Sequence, residues 1–127
     1  FQDIRYENYF DYFVKENSLE DNLKFYGYVK DINQFLDNKN YILSTSIHEG
    51  HPYNIMEAMA RGIKPLIHNY CGSKVQWPGE LVYNFASEIP AMLNNGYDSQ
   101  KYREYVEEHY SLEKQVSTVV KLINNLR

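Results

Sequence analysis

The 127-residue sequence predicts an α/β fold: a doubly wound, Rossmann-like parallel sheet with helices on both faces. Three observations lead there. Strand-like apolar runs alternate with stretches of helical periodicity along the chain. The run YILSTS, 41–46, ends in a glycine-containing loop, IHEGH, that feeds directly into a helix. And no apolar run approaches the ~20 residues needed to cross a bilayer, so the apolar residues are available for a core.

Taken in order, Tyr6, Tyr9, Phe10, Phe13 and Val14 form one apolar stripe and predict a helix over 6–17. NLKFYGYV, 22–29, is rich in aromatic and apolar residues and predicts a strand. DINQFLDN predicts a short helix with Asp31 as its N-cap and Ile32, Phe35 and Leu36 turned inward. A compact strand follows at 41–46, then a helix from about Pro52 to Arg61, with Gly62 as the C′ residue. IKPLIHN, 63–69, predicts the next strand. YCGSKVQWPGE is a turn-rich connection with room for a short helix. ELVYNF carries the last strand, at 81–85. Helices are predicted over 86–94 and 99–109, and a final one starts at the N-cap Ser111. Leu112, Val116, Val119, Ile123 and Leu126 give that last helix an apolar face. Core packing is the expected use of every such stripe.

Composition narrows the function classes. Hydrophobic residues make up 43% and charged residues 24%, as in ordinary globular chains. The net charge of −4 argues against nonspecific nucleic-acid binding. No signal peptide or transit segment opens the sequence, and Cys71 is the single cysteine, which points to a reducing, cytoplasmic setting. With no activating base near it in sequence, Cys71 is expected to be a small packed residue rather than a nucleophile. His48 and His109 are expected at the surface, and Trp77 and Pro78 are expected to anchor their connection.

The segment HEGHPYNIMEAMARG, 48–62, holds the candidate chemistry. A zinc helix needs histidines at i and i+4 around the glutamate. His48 and His51 are three apart, with Gly50 and Pro52 interrupting, so no metal is expected. In open α/β sheets ligands bind beyond the carboxyl ends of strands. The strand at 41–46 ends at Ser46, and the first N–H groups of the following helix have no intrahelical acceptor. With the helix dipole they favour an anion, typically phosphate. Pro52 has no N–H, so the candidate donors are Tyr53 and Asn54, with help from Gly50 and His51. Gly50 also lets a ligand approach the backbone closely. Glu49 and Glu57 would repel a phosphate, but either can accept hydrogen bonds from hydroxyls beside one, the arrangement a nucleotide sugar offers. The other reading of both is as solvated surface carboxylates.

STSIHEGHPYNIMEAMARGIKPLI, 44–67, resembles the donor-binding signature of GT-B glycosyltransferases of family 4, in which E-x7-E is followed by A-M-A-x-G and a proline-led strand. Glu49 and Glu57 have that spacing, and Ala58, Met59, Ala60, Gly62 and Pro65 match the rest. LKFYGYVKD resembles the preceding strand and loop, CGS at 71–73 the glycine-containing loop after the next strand, and YSL at 110–112 the start of the terminal helix. The resemblance implies the C-terminal, nucleotide-sugar-binding domain of a retaining transferase. Residues 1–127 would form a single partial domain of it, with Phe1 falling after the domain's second strand.

In that setting Glu49 is the catalytic position and faces the transferred sugar. Glu57 accepts hydrogen bonds from the ribose. N–H groups near Tyr53 and Asn54 hold the diphosphate, beside Ser46, Gly50 and His51, and Tyr28 and Val29 border the base. The donor substrate would be a nucleotide sugar, the acceptor a carbohydrate or lipid-linked molecule, and neither cofactor nor metal would be needed. This chain departs from the pattern at Val75, where many relatives carry glutamate, and at His51–Pro52, which replaces an aromatic-then-small pair. The basic pair that relatives place near the first strand would lie upstream, and an exposed sheet edge would favour self-association. Two rival readings remain: a noncatalytic nucleotide- or phosphate-binding module, and metal-dependent hydrolysis at His48, Glu49 and His51.

Overall fold

The computed structural model describes residues 3–126, which divide into two compact units that meet between Phe35 and Leu36 in the sequence. In the first, α1 runs Ile4–Glu16 and is opened by the Asp3 carboxylate, which accepts from the Arg5 N–H at 2.9 Å. Only Val14 of its apolar stripe is buried; Tyr6, Tyr9 and Phe13 are exposed. Residues 22–29 form no strand, a correction to the sequence reading. A strand needs a ladder partner, and Gly27, at φ +61°, turns the chain out of the extended path. Tyr26 packs edge-on against Phe35 at 5.1 Å. The short helix α2, Ile32–Leu36, has the predicted cap: the Gln34 N–H donates to Asp31 Oδ1 at 2.9 Å.

The second unit is built on a parallel sheet of three strands in the order β1 (Tyr41–Ser44), β2 (Lys64–His68), β3 (Val82–Tyr83). Tyr41 pairs with Lys64 and Ser44 with Ile67; Ile67 and His68 pair with Val82 and Tyr83. Pro65, Leu66 and Ile67 point alternately to opposite faces, and all are buried, so both faces of the central strand are covered. At the edge strand β1, Ile42 and Ser44 turn inward while Tyr41 and Leu43 stay exposed. The strands predicted over 41–46 and 81–85 are shorter than expected. The first gives way to the loop after Ser44; the last pairs only through Val82 and Tyr83, and Phe85 is exposed.

Helix α3, Tyr53–Ala60, supplies Ile55, Met56 and Met59 to a core completed by Ile67, Tyr70, Trp77, Leu81, Val82 and Tyr102. Its carboxyl end is closed by paired bonds. The Gly62 N–H donates to Met59 and the Ile63 N–H to Ala58, with Gly62 at φ +79°. Helix α4, Ser73–Gln76, occupies the predicted connection. The helix expected over 86–94 begins as a 3-10 turn, Ala86–Glu88, before α5, Ile89–Asn94. Helix α6, Ser99–Tyr110, is capped by Asp98, and α7, Leu112–Asn125, by Ser111 as expected. The apolar face of α7 is not covered, however: Leu112, Val116, Val119, Ile123 and Leu126 are all exposed. Core packing therefore fails as an account of that stripe among the described residues.

Lys64 is buried at the start of β2. Its ammonium donates to the carbonyls of Met92, Asn95 and Gly96 at 2.5, 2.5 and 2.7 Å, satisfying the carboxyl end of α5 and the turn after it. Burial lowers its pKa from the ordinary lysine value.

At Gly62 the left-handed backbone and the packing act together. A Cβ there would stand 2.8 Å from Ser99 Cβ and 2.9 Å from the Arg103 guanidinium carbon. Gly62→Ala should destabilise the second unit by about 2–4 kcal/mol, combining left-handed strain with overpacking. Urea denaturation of the two proteins measures this; an unchanged midpoint would contradict it.

Candidate functional site

The site is built where β1 ends and α3 begins. Loop 45–52 leaves the carboxyl end of β1 and is tied at several points by side chains from later in the sequence. Tyr83 donates its hydroxyl to the Ser44 carbonyl at 2.9 Å. His68, at the end of β2, lies 3.2 Å from the Ser46 carbonyl through Nδ1; because a carbonyl only accepts, that nitrogen carries the proton. The ring of His68 packs against Tyr83 at 5.5 Å. Gln76 donates from Nε2 to the Gly50 carbonyl at 2.8 Å. His51 meets Tyr110 edge-on at 5.0 Å and Tyr53 at 5.8 Å.

Pro52 is the N-cap of α3, in extended conformation and buried. Its carbonyl accepts from the N–H groups of Ile55 and Met56 at 3.2 and 3.4 Å. The N–H groups of Tyr53 and Asn54, ahead of them, have no intrahelical acceptor. The expected donors are thus the ones the helix leaves open. No atom lies within 4 Å of where a Cβ on Gly50 would stand, so the space beside it is open.

Glu49 is half-buried and Glu57 exposed on α3. Neither carboxylate forms an ion pair or hydrogen bond among the described residues. Glu49 is felt by Tyr70, whose pKa is raised chiefly by burial; the bond from Trp77 opposes this and the Glu49 charge adds to it. His48 is exposed, as expected, and no group of three His, Cys, Asp or Glu side chains suited to a metal gathers among the described residues.

The structure therefore brings Ser46, Glu49, Gly50, His51, Tyr53, Asn54 and Glu57 into one loop–helix junction. Tyr28, almost fully exposed, and Val29 belong to the first unit. Cys71 is exposed rather than packed, a further correction: it sits in the turn between buried Tyr70 and the left-handed Gly72. Trp77 is 2% exposed, in keeping with an anchor. The sequence reading passed over the tethers from His68, Tyr83 and Gln76. A cavity of about 320 Å³ between Lys64, Tyr97, Asp98 and Lys101 lies where β2 begins, at the opposite end of the sheet from the loop.

The profile of the family described as Glycosyl transferases group 1 matches residues 3–77, which include the whole junction. The chain belongs to this family. Comparison with curated proteins and with solved structures gave no match. As a member of the glycosyl transferases group 1, the chain has a transferase-type function, with a sugar donor and an acceptor as substrates. Its parallel α/β sheet is the Rossmann-like arrangement of the family. Among the described residues no helix is long and apolar enough to cross a membrane.

Tyr110, which packs on His51, gives the junction of this transferase chain a measurable pH response. Burial, with the nearby Tyr105 and Tyr70, pushes its pKa up to about 12 from an ordinary value of 10.0. The native state therefore keeps the phenol proton longer than the unfolded chain does. The corresponding stability is complete below about pH 10 and is lost as pH rises towards about 12. Denaturant titrations at pH 9 and 11.5 should give a smaller loss for Tyr110→Phe than for the wild type; equal losses would show that Tyr110 does not contribute.

Proposed function

We propose that the junction of loop 46–51 with α3 is the donor site of a retaining, family 4 glycosyltransferase of the GT-B type that uses a nucleotide sugar. The observation that carries this reading is the placement of Glu49 and Glu57 about the open amino end of α3, beyond the carboxyl end of a parallel strand, in a chain of this family. The N–H groups of Tyr53 and Asn54, assisted by Gly50 and His51, hold the diphosphate. Glu57 accepts from the ribose hydroxyls. Glu49 accepts from hydroxyls of the transferred sugar and holds the anomeric carbon facing the acceptor. Holding the diphosphate on fixed backbone dipoles stabilises the negative charge that grows on it as the glycosidic bond breaks. The acceptor is a carbohydrate or a lipid-linked molecule.

The glutamates separate the two halves of this assignment. A charged hydrogen bond to hydroxyls contributes roughly 1.5–3 kcal/mol, about ten- to a hundredfold in affinity. Glu57→Ala should weaken binding of the free nucleoside diphosphate by that factor. Glu49→Ala should leave it unchanged and impair use of the nucleotide sugar. Calorimetric titration with nucleoside diphosphates and their sugar derivatives gives the answer, and equal affinities for wild type and Glu57→Ala would remove the ribose assignment.

The same reading needs no metal, because the helix terminus itself binds phosphate. Nucleotide affinity should be the same before and after exhaustive treatment with EDTA. A stoichiometric zinc that EDTA strips from His48 and His51, with loss of function, would favour the metal-hydrolase reading instead.

A further inference from the structure

Behind the junction runs a chain of hydrogen bonds whose direction is fixed at both ends. The Trp77 indole nitrogen can only donate, and it does so to the Tyr70 hydroxyl at 2.7 Å. The Gly50 carbonyl can only accept, and it lies 2.8 Å from the Gln76 side-chain nitrogen. The Gln76 oxygen is left to accept from the Tyr70 hydroxyl, at 2.6 Å. The Tyr70 hydroxyl thus accepts from Trp77 and donates to Gln76, and the amide orientation of Gln76 follows from its neighbours. The backbone of Gln76 is gripped as well: its carbonyl accepts from the hydroxyls of Tyr105 and Tyr110, each at 2.7 Å. Trp77 and Tyr70 are buried, so the chain is anchored in the core.

The Gly50 carbonyl belongs to the same peptide plane as the His51 N–H. That peptide is trans, so the two groups point to opposite sides. Turning the carbonyl towards Gln76 turns the N–H away from it. The His51 N–H meets no acceptor among the described residues.

We propose that Gln76 is a positioning residue for the donor site: by holding the Gly50 carbonyl it locks the Gly50–His51 peptide so that the His51 N–H joins those of Tyr53 and Asn54 in facing the diphosphate. This rests on the donor-site reading above, since the role it assigns is towards the same ligand. Gln76 touches no substrate group and acts only through the peptide plane. Nothing in the sequence pattern around Gln76 marks it for this role; the assignment comes from the geometry.

The test uses the 127-residue chain, labelled with ¹⁵N. Gln76→Glu keeps the shape and the acceptor oxygen but cannot donate to Gly50; Gln76→Leu removes both functions; Tyr70→Phe leaves the donor to Gly50 in place and cuts only the link behind it. Backbone order parameters of residues 48–51 should fall in both Gln76 variants while those of α3 and β2 stay as in the wild type. The affinity for UDP, GDP or ADP, whichever the wild type binds most tightly, should fall about three- to tenfold, the worth of one neutral hydrogen bond. Tyr70→Phe should have the smaller effect on both, and should shift the indole N–H resonance of Trp77, the only tryptophan. Unchanged order parameters in Gln76→Glu overturn the proposal. So does a loosened loop with unchanged nucleotide affinity. If the wild type binds none of the three nucleotides, the donor-site reading fails, and the order parameters alone decide whether Gln76 holds the loop.

Discussion

Everything at the carboxyl end of the sheet depends on one short helix being held still. Helix α3 is only eight residues long, too short to persist alone in water. Tertiary burial maintains it: Ile55, Ala58 and Met59 have no exposed surface. Its far end is locked by the segment around the start of α6: Tyr97, just before that helix, donates to the Gly62 carbonyl at 2.8 Å, and Arg103, on it, to the Arg61 carbonyl at 2.9 Å. The lack of a side chain at Gly62 allows Ser99 and Arg103 to come this close. An exposed ion pair of Arg61 with Asp37 adds little by comparison. With one end fixed in this way, the open N–H groups at the other end have a defined direction.

Charge is divided between the two ends of the sheet. At the amino end of β2 the Lys64 ammonium is consumed by three carbonyls, so it has no free capacity to serve as an anion site. At the carboxyl end the strands deliver Ser44, His68 and Tyr83, whose contacts are with one another and with the loop backbone. In the proposed donor site, anion attraction comes from oriented peptide groups rather than from a buried cation. Such groups hold charge without needing one of their own, and they lose their effect if they are free to turn.

The sequence was legible where a local rule operates. Asp31 and Ser111 each cap a helix as their residue types require, and Gly62 adopts the left-handed conformation expected at C′. The loop after β1 and its open N–H groups follow from a strand run, a proline and the geometry of helix ends. It was not legible where a partner had to be known. The stripe on α7 and the run at 22–29 have the composition of buried elements, but composition states what a segment can bury and not what covers it. The bond from Gln76 to Gly50 joins residues 26 apart through a side chain with no periodic signature. Cys71 was misread for a similar reason, because its exposure is set by the turn that Gly72 makes.

The tethers on Ser44, Ser46, Gly50 and His51 come from residues that follow them, and this orders events during synthesis. When Gly50 is added to the chain, none of His68, Gln76, Tyr83 or Tyr110 has been made. Tyr110 is added sixty residues later, a delay of roughly 3–12 s at ordinary elongation rates. β2, the described parallel neighbour of β1, also lies downstream, although it is made before Tyr110. The shape of the loop therefore depends on residues made after it, and His51 waits longest for its contact with Tyr110.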